Sequence, residues 1–321
     1  MKLLVTGGAG YIGSVVTHKL VNAGHEVVVL DDLSTGYREN VPAQAEFHQL
    51  SIHQVSQLLT PGSGFDGVLH FAAKIEVAES VRYPGRFWET NIKGTLALLE
   101  AIATAGVKRL IFSSTGSMYR GVGLEKLTEE AMIRPNNPYA ATKLAVDLMI
   151  AGECGASSLG AASLRYFNAA GAVDRLGERH QPESHLIPIA LQAAAGEREK
   201  FLLYGDDYPT PDGTCIRDYI HIADLADAHL LALAAVQPGV HEIYNLGNGN
   251  GYSNKQVIET VREVTGRKFP IIMAPRRAGD PAACVASSEK ARRELGWVPK
   301  RPALRDIIAD AWEFQQRKIL A

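Results

Sequence analysis

The sequence predicts an α/β protein, a doubly wound parallel sheet with a smaller, interleaved C-terminal lobe. Three observations predict it. Short apolar runs alternate with helical patterns through the first half of the chain, the signature of βαβ units feeding a parallel sheet. The first run leads straight into a glycine-rich turn and a helix, "VTGGAGYIG". Beyond Asn168 the character changes to polar loops and further helical patterns, as a second lobe requires.

Strands are read at Leu3–Thr6, Val27–Leu30, Gly67–Phe71, Leu110–Ser113 and Ala162–Arg165, each bounded by turn or polar residues. Between them lie helices at Tyr11–Ala23, Trp88–Ala105 and Tyr139–Gly152, the second with Leu96, Leu99 and Ile102 at helical spacing. "GAVDRLGERHQPESH" and "GDDYPTPDGT" read as long polar loops. "CIRDYIHIADLADAHLLALAA" reads as a strand, a turn and a helix capped near Asp224, returning to the main sheet. Helices at Ser253–Thr265 and Leu304–Gln316 flank the loop "APRRAGDPAACVASS". With no internal repeat or low-complexity segment, the two lobes are expected to interleave: 1–168 with about 215–250, and 169–214 with 251–321.

Bulk properties narrow the ligand class. The 321 residues are 46% hydrophobic and 21% charged with a formal net charge of -2, so there is neither the basic excess of a nucleic-acid binder nor an acidic, disordered tail. Small neutral or anionic ligands fit this balance. "MKLLVTGGAG" suits a buried strand and lacks the apolar core of a signal peptide, and no apolar run is long enough to span a membrane. Cys154, Cys215 and Cys284 are scattered and form no C-x-x-C, which is the expectation for a reduced, cytoplasmic protein. None of the ten histidines stands at helical spacing beside a carboxylate, and His180 and His185 sit in a polar loop. Structural or surface roles are expected for them, and no metal.

The chemistry-bearing motifs come next. Gly7, Gly10 and Gly13 follow a strand and open a helix, where glycines let the backbone turn tightly and approach a pyrophosphate resting on the helix N-terminus. Asp31 ends the next strand 18 residues beyond Gly13, placed to accept hydrogen bonds from a ribose diol and to repel a 2′-phosphate. Together they indicate a Rossmann sheet binding NAD in preference to NADP; glycines in such turns also serve packing alone. Tyr139-Ala-Ala-Thr-Lys143 puts a phenol and an ammonium on one helix face, where the Lys143 charge can stabilise a Tyr139 phenolate acting as a general base. Taken alone that spacing also occurs in ordinary helix-surface pairs. It gains weight from "IFSSTGSMYR", a strand that ends in hydroxyls at the sheet edge where such folds bind ligands.

The glycine turn, Asp31, Thr115 and Tyr139-x-x-x-Lys143 resemble the extended short-chain dehydrogenase/reductase superfamily. "LRYFNAAGA", "YGDDYPTPDGTCIRDYIHIADLADAH", "YNLGNGNG" and "APRRAGDPA" resemble UDP-glucose (UDP-galactose) 4-epimerases over nearly the whole chain. The resemblance implies NAD-dependent C4 epimerisation of a UDP-hexose through a 4-keto intermediate. It implies Tyr139 as the base, Lys143 as its electrostatic partner and Thr115 as a ligand of the sugar 4-oxygen. NAD would be held by Gly7, Gly10, Tyr11, Ile12, Gly13, Asp31, Ser51, Ile52, Phe71, Ala72, Ala73, Asn91, Ser113, Lys143 and Tyr166. The UDP-sugar would meet Thr115, Gly116, Ser117, Tyr139, Asn168, His185, Leu186, Tyr204, Arg217, Arg277, Asp280 and Cys284, with Arg217 and Arg277 as fixed guanidinium forks for a diphosphate. Relatives generally dimerise through two helices, here Trp88–Ala105 and Tyr139–Gly152, which implies a homodimer.

Three single residues and one turn depart from that pattern. Ser51 stands where relatives carry an Asp that contacts adenine, and His185 where many have Asn near the diphosphate. Cys284 takes the place of a gatekeeper that is Tyr in forms limited to plain hexoses; a small side chain there leaves volume for N-acetylhexosamines. Gly116 and Ser117, followed by Arg120, stand in a turn where UDP-glucuronate 4-epimerases carry small hydroxyl residues, so this turn is either a C6 carboxylate site or a tolerant loop that has drifted. Tyr119 is read as structural. A 4,6-dehydratase is disfavoured because Gly116-Ser117 replaces its acid–base pair. A UDP-glucuronate decarboxylase and a catalytically silent dinucleotide-sensing regulator remain as alternatives.

Overall fold

The computed structural model describes residues 1–121, 123–277 and 280–320. Along the first half run β1 (Lys2–Thr6), α1 (Tyr11–Asn22), β2 (Glu26–Asp31), β3 (Glu46–Gln49), β4 (Gly67–His70), the short α2 (Val77–Arg82) and α3 (Pro84–Phe87), a π-helical turn at Trp88–Lys93, α4 (Gly94–Ala105), β5 (Arg109–Thr115), α5 (Pro138–Ala156) and β6 (Gly160–Tyr166). The second half adds β7 (Asn168–Ala170), α6 (Leu186–Ala195), β8 (Phe201–Tyr204), β9 (Ile216–His221), α7 (Ile222–Ala235), β10 (His241–Leu246), β11 (Gly251–Ser253), α8 (Asn254–Thr265), β12 (Ile271–Ala274), β13 (Ala283–Cys284), α9 (Glu289–Leu295) and α10 (Leu304–Leu320).

Among the described residues, seven strands form one sheet in the order β10-β6-β5-β4-β1-β2-β3, every pair parallel. This is the doubly wound order, reversing direction at β1 and β4. Both faces are covered, which is why the strands are apolar runs without alternation. Leu3, Val5, Val27, Val29 and Ile111 face α1 and α7 through Val15, Val16, Leu20 and Leu225. Leu4, Val28, Leu30, Leu110 and Phe112 face α4 and α5 through Leu98, Leu99, Ile102, Val146 and Ile150. A third apolar cluster gathers Ile187, Leu191, Phe201, Val257, Ile258, Leu304 and Ile307 from α6, β8, α8 and α10, giving the C-terminal lobe a core of its own. That lobe carries β7, β9, β11 and β13 in one small sheet and β8 with β12 in another.

Several elements differ in detail from the sequence reading. The helix read at Trp88–Ala105 begins as a π turn that carries Asn91, whose side chain bonds both the N–H and C=O of Lys74 (2.8 and 3.0 Å) and Thr142 Oγ1 (3.0 Å). The apolar face of α4 is then Leu98, Leu99 and Ile102, and Leu96 points outward, 46% exposed. The cap of α7 is His221, whose Nδ1 accepts the Ala223 N–H (3.0 Å); Asp224 instead receives the N–H groups of Lys300 (2.9 Å) and Arg301 (2.8 Å). Strand β9 joins the small sheet, while α7 and β10 return to the large one. Ala278 and Gly279 of the "APRRAGDPAACVASS" loop lie outside the described residues.

A buried ion pair fixes α5 to the sheet. Asp147 Oδ2 accepts from Arg165 Nε (3.0 Å) and Nη2 (2.8 Å) and from Ser114 Oγ (3.2 Å). Arg165 Nη1 donates to Tyr119 OH (2.9 Å), which donates to Asn245 Oδ1 (2.8 Å), so the network runs from α5 through β5 and β6 to β10. Tyr119 is thus a structural member, as read from the sequence. Removing one partner strands the other charge in the interior at a cost of about 3–5 kcal/mol. Asp147→Ala is therefore expected to lower the unfolding free energy by about that amount, and Asp147→Leu with Arg165→Met to restore much of it, as read by urea denaturation.

Candidate active site

The site lies along the carboxyl ends of β1, β2, β4, β5 and β6. At one end the glycine turn joins β1 to α1. Gly7 has φ +73°, and a Cβ there would stand 2.6 Å from Ala72 N; a Cβ on Gly13 would stand 2.2 Å from Gly7 O. Neither position admits a side chain. Gly10 caps α1 without a side-chain acceptor, no acidic residue occupies the first turn, and Ser14 is the first residue bonded back into the helix (to Gly10 O, 3.0 Å). The N–H groups of Tyr11, Ile12 and Gly13 therefore head the helix as donors, with its positive dipole end behind them. Asp31 closes the turn: its Oδ2 accepts the Ala9 N–H (2.9 Å) and its Oδ1 the Leu33 N–H (2.8 Å). Burial pushes the Asp31 carboxyl up, against those two hydrogen bonds, which hold it down.

The neighbouring loops carry the other expected nucleotide contacts. Phe71 N–H bonds Thr6 O (2.8 Å), which sets Ala72 against Gly7 and leads into Ala73. The Ser51 hydroxyl caps the turn Ile52–Gln57, its N–H bonded in return to Gln54 Oε1 (3.0 Å), so this side chain completes a local capping box. Ile52 is buried against Gly94. Asn91 is spent on Lys74 and Thr142, and shapes the loop after β4 from behind.

At the centre stand Thr115, Tyr139 and Lys143. Asn137 caps α5 by accepting the Ala140 N–H (2.8 Å) and Pro138 occupies the first turn, which starts the helix one residue before Tyr139. Tyr139 stands beside Thr115 at the end of β5, whose side chain favours its phenolate, and Thr115 Oγ1 accepts the Ser117 N–H (3.1 Å). One turn on, Lys143 is buried with its Nζ donating to Ser113 O (2.7 Å) and lying 4.7 Å over the Phe112 ring. The Ser113 hydroxyl bonds Tyr166 OH. Burial sets the protonation of this group: it pushes Tyr139 up to about 12 and Lys143 down to about 7, with Asp147 opposing the fall. The sequence reading expected a lowered Tyr139; in the protein chain alone, desolvation outweighs the help from Thr115, and the Lys143 ammonium is directed to a carbonyl.

The far end is built by the smaller lobe. Asn168 Nδ2 donates to Asp218 O (2.7 Å). Arg217 Nη1 donates to Ile216 O (2.9 Å) and Pro281 O (3.0 Å), and Cys284 on β13 is its register partner. Asp280 lies 3.9 Å from Arg217 and 3.0 Å from Arg277, whose guanidinium covers the Tyr204 ring at 5.1 Å. Burial raises the Cys284 thiol to about 11, so it stays neutral. His185 stands at the N-terminal boundary of α6, without a side-chain bond to it, and its partners Glu183 and Glu178 overcome burial to raise it to about 9. The two ends meet where Gly121 packs on Ala283 and Pro281, and where Leu127 bonds Val285 O (2.8 Å).

A glycine turn, a strand-end carboxylate and a Tyr–Lys pair in this arrangement are shared with known proteins. The model of the NAD dependent epimerase/dehydratase family matches residues 3–247. The chain belongs to this family. A UDP-glucose 4-epimerase of Streptomyces lividans is 56% identical over 98% of this chain and 95% of its own. A crystal structure of a UDP-glucose 4-epimerase superposes with TM-score 0.95 at 44% identity, covering 99% of this chain and 98% of its own. That of Brucella ovis, in complex with NAD, gives 0.92 at 40%, covering 98% of each. The residues present fit the family's dinucleotide: side chains are excluded at Gly7 and Gly13, helix donors are uncapped at Gly10, and Asp31 keeps free lone pairs beside them.

Three features of the site escaped the sequence reading. His70, bonded to Thr6 Oγ1 (2.7 Å) and Thr95 Oγ1 (3.0 Å), lies near Lys143 and is held down to about 3 by burial and by that charge, so it is a neutral neighbour. Phe167 fills the space beside Gly116, where a Cβ would come within 2.7 Å of its ring. Glu178, His180 and His185 converge in one loop, although their ligand atoms are not at helical spacing. The signal was present as Glu-x-His-x-x-Glu-x-His at 178–185.

The Lys143 shift has a signed consequence. Between about 7 and the ordinary lysine value of 10.5 the unfolded chain binds this proton and the folded chain does not, so its contribution to stability rises with pH across that window. Urea denaturation of wild type against Lys143→Met at pH 7 and pH 10 is expected to show wild type gaining on the variant by a few kcal/mol, on the order of 1.4 per unit of pKa difference.

Proposed function

We propose that the protein is an NAD-dependent UDP-hexose 4-epimerase that interconverts UDP-glucose and UDP-galactose through a 4-keto intermediate. The observation that carries this reading is Tyr139 beside Thr115 at the end of β5, with the buried Lys143 one helical turn away and the uncapped N-terminus of α1 close by. Full-length similarity to enzymes of that activity supports it. Bound NAD supplies the acceptor and then the donor of the C4 hydride. Tyr139 takes the proton from the sugar 4-hydroxyl and later returns it, while Thr115 bonds the same oxygen. Lys143 and Tyr139 titrate as a pair: the ammonium favours the phenolate, and the phenolate in turn holds the proton on Lys143. In the smaller lobe Asn168, Arg217 and Arg277 hold the UDP moiety, with His185, Leu186, Tyr204 and Asp280 around it. Residues 1–168 with about 215–250 act as the NAD domain, except that β7 and β9, with Asn168 and Arg217, join the small sheet of the other lobe; 169–214 and 251–321 act as the substrate lobe.

The uronate alternative loses its footing at the turn after β5. The direction in which a side chain on Gly116 would point is taken by the Phe167 ring, Ser117 commits its N–H to Thr115, and the Arg120 side chain is exposed. Cys284 is compact and neutral beside Arg217, which supports a pocket that also admits N-acetylhexosamines. We extend the reading to a homodimer built on α4 and α5, whose outer faces expose Leu96 (46%) and Leu148 (65%). A cytoplasmic setting accords with three free cysteines, and no described helix is long and apolar enough to cross a membrane.

Purified protein given UDP-galactose, UDP-glucose or UDP-glucuronate should interconvert the first two and leave the third unchanged by chromatography. Tyr139→Phe should lower kcat by about 10²–10⁴, and Cys284→Tyr should suppress UDP-GlcNAc turnover while sparing UDP-glucose. No product from any of these sugars would overturn the reading; equal UDP-GlcNAc turnover by both forms, or by neither, would remove only its extension to N-acetylhexosamines. Sedimentation equilibrium should give a dimer for wild type and a monomer for Leu148→Asp; an unchanged mass would place the interface elsewhere.

A further inference from the structure

We propose that Glu178, His180 and His185 form a binding site for a first-row divalent metal ion, with Zn²⁺ the best match to the donors. The ligand atoms of the three residues lie within 4.8 Å of one another. All come from one short stretch between β7 and α6, and local hydrogen bonds fix its carboxylates in advance. Glu178 Oε1 accepts the N–H groups of Arg179 (2.9 Å) and His180 (3.1 Å), and Glu183 Oε1 those of Ser184 (2.8 Å) and His185 (2.7 Å).

Both imidazoles turn Nδ1 toward the carboxylates. His180 Nδ1 presses on Glu178 Oε1; His185 Nδ1 is 2.7 Å from Glu183 Oε1 and 3.9 Å from Glu178 Oε2. Despite its closeness to Glu178, His180 Nδ1 is buried without a hydrogen-bond partner of acceptable geometry. The two ring centroids stand 5.7 Å apart. Two imidazolium ions would satisfy the carboxylates by charge but set like charges side by side and leave that nitrogen unmatched. A single dication takes one nitrogen of each ring and Glu178 together, while Glu183 Oε1, 2.7 Å from His185 Nδ1, orients that ring from outside the set. Two imidazoles with a carboxylate suit a borderline ion of the zinc type, whereas Mg²⁺ and Ca²⁺ prefer all-oxygen shells.

The loop has access and a load to bear. Glu178 lines two adjoining clefts, one that reaches Gly171, Leu191 and Phe314, and one that reaches Tyr37 and Arg179. Tyr11, at the head of α1, borders both. An ion here pins the loop between α1 and α6, and its role is to hold the covering of the nucleotide site, with no part in the proton and hydride steps.

The test uses the full chain without a polyhistidine tag, stripped with a chelator and dialysed against Zn²⁺ alone or Co²⁺ alone, with no sugar or NAD added. Wild type should retain one Zn²⁺ per chain by elemental analysis, show ligand-field bands with Co²⁺, and melt at a higher temperature with metal than without. His180→Ala should lose all three responses, Glu178→Gln should bind at least about tenfold more weakly, and His53→Ala, in a distant turn, should behave as wild type. Equal uptake by wild type and His180→Ala, or substoichiometric uptake by wild type, would overturn the proposal and leave an imidazolium–carboxylate network only. Because metal uptake is read without turnover, its failure and the failure of the epimerase reading are separate results.

Discussion

The position of the Tyr–Lys helix rests on one buried ion pair. Asp147 lies on the face of α5 that carries Lys143 one turn earlier and Tyr139 two turns earlier, and Arg165 anchors it to β6. A fixed charge so deep is costly, and it is tolerated because Arg165 is shared with Tyr119, and through it with Asn245 on β10. The pair thus ties the register of α5 to three neighbouring strands. Lys143 can then sit against the Ser113 carbonyl and Phe112 ring with little freedom, and Tyr139 meets Thr115 at the strand end.

The same burial that makes the geometry rigid makes the protonation labile. Lys143 is desolvated far enough to titrate near neutrality, while Tyr139 in the same surroundings is held protonated. His70, locked between two threonines, adds no charge of its own. The site therefore depends on what enters it: the chain provides a phenol and an amine whose ionisation is finely opposed, and a charged ligand beside them decides which form prevails.

Much of this was legible in the sequence because it is local. The glycine turn, Asp31, the hydroxyl strand end and Tyr139-x-x-x-Lys143 are short-range patterns whose spacing dictates their geometry. The parallel character of the sheet follows from alternating strands and helices, and the apolar runs fit its two covered faces. What stayed hidden depends on contacts far apart in the chain. Leu96 matched the helical period of α4, yet the face that meets the sheet is Leu98, Leu99 and Ile102, with Leu96 turned outward. Asp224 has the residue type of a cap, yet its carboxylate is claimed by backbone groups 76 and 77 residues away and His221 does the capping. Asp147 could have been noticed, standing four residues beyond Lys143; its partner Arg165 could not.

The contact between Gly116 and Phe167 links two positions that lie on different strands' ends into one unit of change. Phe167 occupies the volume that a methyl group at residue 116 would need, so a drift from glycine to a larger residue is blocked while Phe167 remains. The reverse order is equally constrained, because a smaller residue at 167 leaves a void beside a bare glycine. The two positions are therefore coupled: a larger residue at 116 requires the Phe167 ring to shift or shrink, and a smaller residue at 167 leaves room that only a side chain at 116 would fill.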